Sequence, residues 1–219
     1  MAVLYVIATS IGNLEDITLR ALRVLKEVDF VVCEDVRVTK KLLNHYDIST
    51  PVESFYKFQK KKGSVKPEIK SEYIKNELLL GKNIALVTDA GTPGISDPGN
   101  QIVKDAGENK ITVVPIPGVS ALTALTSVSG IDMSQFLFLG FPPHKKGRET
   151  FFRNIAQSEY PVVYFESPHR VIKNLELLQS LQENKKIILG RELTKMFEEI
   201  IRVTAEEALQ YFRKHTDKV

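Results

Sequence analysis

With 219 residues, 43% of them hydrophobic, the chain suits one large domain or two small ones, each with a sizeable core. A net charge of +3 points only weakly to a polyanionic partner, and the single cysteine, Cys33, excludes an internal disulfide and a cysteine-built metal site. No apolar run reaches membrane-spanning length, and Met1 leads at once into an apolar strand with no basic leader, so a cytoplasmic protein is expected.

The first strand, Leu4–Ala8, runs into the turn Thr9-Ser10-Ile11-Gly12-Asn13-Leu14-Glu15. Asp16 is placed to cap a helix whose apolar face is Ile17, Ala21, Leu25 and Val28. Strand Phe30–Cys33, whose thiol reads as buried rather than nucleophilic, ends in Glu34-Asp35-Val36-Arg37, and a short helix follows to about Tyr46. Pro51–Phe55 reads as a third strand, Tyr56 to Lys66 as a mobile basic loop, and Pro67 as the start of a helix that ends at Gly81. In that loop Lys60, Lys61 and Lys62 stand near Phe55, Tyr56 and Phe58. Basic charge interleaved with aromatics suits phosphate contact and base stacking on RNA, and a solvated loop is the plainer alternative. A second basic stretch, His144-Lys145-Lys146-Gly147-Arg148, follows Phe141.

The apolar run Ile84–Val87 predicts a buried parallel strand. It opens into Thr88-Asp89-Ala90-Gly91-Thr92-Pro93-Gly94-Ile95-Ser96-Asp97-Pro98-Gly99, long for a connection and rich in residues that let backbone approach a ligand. A helix is expected from about Gly99 to Asn109, then strand Thr112–Pro115. Ile116-Pro117-Gly118 marks a boundary between domains at 1–116 and 117–219. Beyond it, Ser120 can cap a helix to about Val128. A second α/β series follows: strand Phe136–Gly140, helix Arg148–Gln157, strand Val162–Glu166, helix His169–Gln182, and strands Lys186–Gly190 and Glu199–Val203. Thr204-Ala205-Glu206-Glu207 is a capping box for the last helix. The alternation of strands and helices makes the fold class α/β.

The unusual polar residues gather at strand ends, which suggests one cleft between the two domains, although helix capping is the common use of such residues. The first turn lacks G-x-G-x-x-G, and neither a phosphate loop nor a G-x-S-x-G elbow occurs. His45, His144, His169 and His215 show no metal-ligand spacing, so no metal is expected. His169 reads equally as a base, a substrate contact or a helix N-terminal residue.

Six stretches, in order, resemble the bacterial small-subunit ribosomal RNA (cytidine-2′-O-)-methyltransferases of the tetrapyrrole methylase superfamily: Leu4 to Thr18, Glu34-Asp35-Val36-Arg37, Thr88 to Gly99, Pro117-Gly118-Val119-Ser120-Ala121, Glu166-Ser167-Pro168-His169-Arg170, and Arg191-Glu192-Leu193-Thr194-Lys195. The resemblance covers nearly the whole chain. It implies two α/β domains, S-adenosylmethionine (SAM) in the cleft between them, a homodimer, and a cytidine ribose in the decoding region of small-subunit rRNA, free or in the 30S subunit, as acceptor. It assigns Asp89, Ala90, Gly91, Thr92, Pro93 and Ile95 to the methionine part of the cofactor. Ser120 and Ala121 would stand near the sulfonium, and Phe165, Glu166, Leu193 and Thr194 would bracket adenosine. Ser10, Asn13 and Arg37 would face RNA, and His169 and Arg170 are further candidates for substrate contact.

The chain departs from the family at Tyr56-Lys57-Phe58-Gln59, where relatives carry histidine, glutamate and asparagine. It also ends at Val219, where relatives continue with a closing strand; either the chain is cut short or the second sheet is incomplete. A ribose hydroxyl needs a base or a stabilising cation. Asp35 is the first candidate for the base, with Glu34 beside it, and Lys195 is the candidate for stabilising charge. A tetrapyrrole C-methyltransferase and a non-catalytic RNA-binding or ribosome-assembly factor are the competing readings.

Overall fold

The structure, a computed structural model, describes residues 2–61, 64–97, 99–182 and 185–215, with the backbone alone at 57–61 and 64–69. The chain divides into two compact units, Met1–Ala121 and Leu122–Val219.

The first unit is built on a five-stranded parallel sheet. β1 (Val3–Ile7), β2 (Phe30–Cys33), β3 (Val52–Ser54), β6 (Ile84–Leu86) and β7 (Thr112–Ile116) lie in the order β3-β2-β6-β1-β7. α1 (Leu19–Glu27) and α2 (Val36–His45) cover one face, where Ile7, Val31, Cys33, Ala85 and Val87 form a core with Ala21, Leu25 and Leu43. α3 (Ser71–Leu79) and α4 (Asn100–Glu108) cover the other, over Leu4, Phe30, Val32, Ile84 and Leu86. Successive strand residues alternate between the two cores, as the period of two requires, so both faces are apolar. From β1 the chain moves to β2 on one side; from β6 it moves to β7 on the other. The strand order therefore reverses at the β6–β1 pair, and a crevice opens beyond the carboxyl ends of those strands, the usual ligand position in such sheets.

Two expectations are corrected here. Residues expected as a mobile loop and helix start form an antiparallel hairpin, β4 (Tyr56–Lys61) with β5 (Ser64–Ile69), in the register Tyr56–Ile69 to Lys61–Ser64. α3 then begins at Ser71 rather than Pro67. The sequence signal was the period-two spacing of Tyr56 and Phe58, and of Val65, Pro67 and Ile69. Asp16 does not cap α1: it ends a short 3-10 turn, Leu14–Asp16, and Thr18 is the cap, its hydroxyl accepting from Ala21 N at 3.1 Å. Such a cap contributes about 1 kcal/mol.

In the second unit α5 (Ala121–Ser127) is followed by β8 (Leu137–Phe138), α6 (Arg148–Gln157), β9 (Val162–Val163), α7 (Pro168–Leu181), β10 (Lys186–Arg191), β11 (Glu199–Thr204) and α8 (Ala205–Lys214). β8 and β9 pair in parallel, and β10 and β11 antiparallel, as separate two-stranded sheets. A cavity of about 510 Å3 lies between them, with Val163, Tyr164, Asn174 and Ile188 among its lining residues. Phe152, Leu178, Ala208 and Phe212 are core residues of this unit. The capping box at Thr204 and Glu207 forms in both directions. No described helix is long and apolar enough to cross a membrane.

Candidate active site at the strand ends

The loop after β6 folds back on the turn after β1. Thr9 N donates to Gly91 O at 2.9 Å, and Gly91 N returns a bond to Thr9 O at 3.2 Å. Gly91 has φ +80, and a Cβ there would stand 3.3 Å from Ile11 Cγ2 and 3.6 Å from Val119 O, so a side chain is opposed by both backbone and space. Thr92 ties the same loop to the following segment through its hydroxyl, which donates to Val119 O at 3.0 Å. Gly118 packs so closely that a Cβ would meet Ala8 Cβ at 2.9 Å.

The carboxylates have distinct duties. Asp97 accepts from three backbone N–H groups, Gly94 at 2.5 Å, Ile95 at 3.1 Å and Gly99 at 3.0 Å, and so fixes the curl of the loop. Asp89 accepts from Asp35 N at 3.0 Å, at the N-terminus of α2, where the helix dipole favours negative charge. Asp35 is the N-cap of α2, accepting from Arg37 N at 2.8 Å, and it pairs with the Arg37 guanidinium at 2.6 Å. The hydrogen bonds from Arg37 hold its carboxyl down at about 2. Glu34 differs: among the described residues no side chain donates to its carboxylate. Burial, then repulsion from Asp89, Asp97 and Asp35, pushes its pKa up. Cys33 is fully buried, and burial raises its thiol pKa, which fits the structural role expected of it.

The other sequence-selected residues fall as follows. Ser10 lines a cavity of about 270 Å3 together with Thr9, Thr39 and Asp89. Asn13 caps the 3-10 turn by accepting from Glu15 N at 3.1 Å. Ala90 and Pro93 lie in the folded-back loop, Ile95 is exposed there, and Ser120 and Ala121 stand at the start of α5. Lys62 lies outside the described residues, and Lys60 and Lys61 are placed on β4 by their backbone alone.

In the second unit the Phe165 ring contacts Phe138 and Phe141 at 5.0 and 5.4 Å between centroids. Glu166 bonds Ser167 N, Asn174 Nδ2 and, at 3.1 Å, Arg170, whose other arm donates to Pro142 O. Arg170 is thus largely committed within its own unit, while His169 is exposed in the first turn of α7. Leu193 packs against Gly190. Thr194 has φ +68, its N–H donates to Glu198, and its buried hydroxyl has no partner among the described residues. Lys195 pairs with Glu192 at 3.0 Å. Among the described residues no cluster of His, Cys, Asp and Glu has the arrangement of a metal site.

Sequence reasoning missed the organising role of Asp97, which depends on the fold-back of its own loop, and it missed Thr39, which looked like one more residue on a helix face. A sequence model of the tetrapyrrole (corrin/porphyrin) methylases matches residues 3–209. The chain belongs to the tetrapyrrole methylases. Among these methylases it is 47% identical, over 90% of its own length and 80% of the relative's, to a protein of Leptospira biflexa named ribosomal RNA small subunit methyltransferase I. A Thermotoga maritima protein of the same name is 39% identical over 98% of this chain and 93% of its own. The solved structure of a cobalt-precorrin-4 methyltransferase of cobalamin biosynthesis superposes with a TM-score of 0.69 at 16% identity, covering 99% of this chain and 91% of that one. A putative diphthine synthase from Entamoeba histolytica gives 0.65 at 17% identity, covering 96% and 88%. These two likenesses concern the fold.

Proposed function

We propose that this tetrapyrrole methylase transfers a methyl group from SAM to a cytidine 2′-hydroxyl in the decoding region of small-subunit rRNA. The observation that carries the reading is the identity of 39–47%, along nearly the whole chain, to proteins named ribosomal RNA small subunit methyltransferase I. When bound, SAM supplies an activated methyl group on a positively charged sulfur. The first unit suits such a ligand: the negative field of Glu34, Asp35, Asp89 and Asp97, whose repulsion raises the Glu34 pKa, favours the cationic sulfonium and ammonium. Asp89 to Ile95 would hold the methionine part, with the tight approach at Gly91 keeping side chains out. In the second unit the unpartnered Thr194 hydroxyl is a polar atom that adenosine would satisfy.

The residues of this chain have then to orient the ribose hydroxyl and take its proton. Between the neighbouring carboxylates, the more basic Glu34, which has no side-chain donor among the described residues, suits proton abstraction better than Asp35, which Arg37 keeps ionised and occupied. Asp35 would hold Arg37 and the start of α2 in place. Lys195 would offset developing charge only after leaving Glu192. The same reading includes a cytoplasmic location and a homodimer, for which the exposed Leu137, Leu139 and Phe141 offer apolar surface.

The test is transfer of labelled methyl from SAM to 30S subunits, naked rRNA or a porphyrinogen. Label in the 2′-O position of small-subunit rRNA is expected. Label only in the porphyrinogen, or RNA binding without labelling, would replace the reading with a tetrapyrrole methylase acting on its namesake substrate or with a non-catalytic factor.

A further inference from the structure

Thr39 lies at the end of the first turn of α2, is only 3% exposed, and among the described residues its hydroxyl has no oxygen or nitrogen partner. Its hydroxyl bonds the Cys33 sulfur, a weak acceptor. A buried hydroxyl left in this state costs stability, and a native site that retains one calls for an explanation. Thr39 lines the cavity of about 270 Å3 at the carboxyl ends of β1 and β6. Its other lining residues include the apolar Leu14, Val38 and Leu42 and the polar Thr9, Lys41 and Asp89. Asp89 spends one carboxylate oxygen on Asp35 N, and among the described residues the other accepts no hydrogen bond.

This volume lies below the range of roughly 300–1,000 Å3 typical of pockets for drug-sized ligands, so the cavity suits a single ring rather than a whole cofactor or a tetrapyrrole. A lining that combines apolar side chains with hydrogen-bonding groups matches an unstacked nucleobase: the apolar side chains take its faces and the polar groups take its Watson–Crick edge. A carboxylate is the matching acceptor for the exocyclic amino group of cytosine. We infer that this cavity receives the base of the nucleotide being methylated, with the Thr39 hydroxyl hydrogen-bonded to that base and Asp89 at its amino edge. The inference rests on the rRNA reading above and adds to it a base-binding subsite within the first unit.

The test compares Thr39→Val, Thr39→Ser and Val38→Phe with the unaltered protein. The measurements are thermal unfolding, SAM affinity by calorimetry, and methylation kinetics on 30S subunits. Thr39→Val keeps the branched shape and removes only the hydroxyl. Its Tm is expected to be unchanged or higher, with SAM affinity unchanged and KM for the 30S subunit raised about threefold to tenfold, the value of one hydrogen bond. Thr39→Ser is expected to keep the KM of the unaltered protein. Val38→Phe, which narrows the cavity from its exposed rim, is expected to raise KM for RNA without changing SAM affinity. A Thr39→Val protein with a lowered Tm and an unchanged KM would make the hydroxyl a structural partner of Cys33 and overturn the inference. Val38→Phe with an unchanged KM overturns it independently, even if Thr39→Val fails to fold. In either case the unaltered protein still methylates RNA, whereas failure of the rRNA reading shows as no transfer to RNA by the unaltered protein.

Discussion

Replacing Asp97 by asparagine tests whether the loop after β6 is shaped before the cofactor arrives. Asp97 Oδ2 accepts from Gly94 N at 2.5 Å and Ile95 N at 3.1 Å, and Oδ1 from Gly99 N at 3.0 Å. An asparagine can keep one oxygen on the first pair of donors, but its NH2 then faces the Gly99 N–H, so one bond is lost and two become neutral. Bonds to a charged acceptor contribute about 1.5–3 kcal/mol and neutral ones about 0.5–1.5. The gross loss is therefore several kcal/mol, but the loop is partly open to water, which replaces much of it. A net cost of about 1–3 kcal/mol in holding the loop is expected, which weakens SAM binding roughly 5–150-fold. The β6 strand and both cores of the first unit lie outside the change, so circular dichroism should be unaltered. Calorimetric titration of SAM into the folded variant reads the effect directly. An affinity within twofold of the unaltered protein would show that the three bonds do not set the binding shape of the loop.

Gly91→Val should abolish measurable SAM binding, because φ +80 and the 3.3 Å approach to Ile11 both oppose a branched side chain; unchanged calorimetric affinity in a folded variant would place the cofactor elsewhere. In single-turnover assays with saturating RNA and SAM, Glu34→Gln should slow methyl transfer about 10²–10⁴-fold, whereas Asp35→Asn, which still caps α2, should slow it less than about tenfold. The reverse order of effects would return the base to Asp35. Because the folded-state Glu34 pKa is raised, the native state holds the proton more tightly than the unfolded chain, and Glu34 costs stability as pH rises through the folded pKa. Glu34→Gln should therefore raise Tm at neutral pH and leave it nearly unchanged below the ordinary glutamate range; an equal change at both pH values would remove ionisation as the cause. Alanine at Lys60, Lys61 and Lys62 together should weaken RNA binding and flatten its salt dependence without altering SAM affinity, as checked by binding titrations across salt concentrations.

The parts of this fold legible in the sequence are those where a single local signal decides. Phe30–Cys33 and Ile84–Leu86 are uninterrupted apolar runs, buried on both faces, and the Thr204–Glu207 box satisfies its own backbone donors. The hairpin at 56–69 was not legible because its apolar residues alternate with lysines and because Pro67 imitates a helix start; a two-stranded ribbon leaves an edge where proline is tolerated. The start of α1 was ambiguous because Asn13, Asp16 and Thr18 are all capping residues within six positions, and only the path of the chain selects Thr18. At the site, the sequence showed that carboxylates gather at strand ends. It could not show that Asp97 is spent on its own loop, Asp35 on Arg37 and Asp89 on the α2 N-terminus, because those assignments depend on pairings up to 54 residues apart along the chain.

That division of labour makes the acidic group consistent with a partner that is itself an anion. Four carboxylates near an RNA site would repel phosphate, and each placed without a partner would add to that cost. Three of the four are instead tied by hydrogen bonds to backbone N–H groups or to Arg37, so their charge is fixed in direction and partly offset. Their residual field falls on Glu34, where it raises basicity, and it favours the cationic donor. Attraction for the RNA backbone must then come from outside this group. The hairpin strands that carry Lys57, Lys60, Lys61 and Lys66 follow β3, the strand paired with β2, in the chain. A screened attraction of this kind acts over about 10 Å at 0.1 M salt, so its contribution to RNA recruitment should fall as salt is raised.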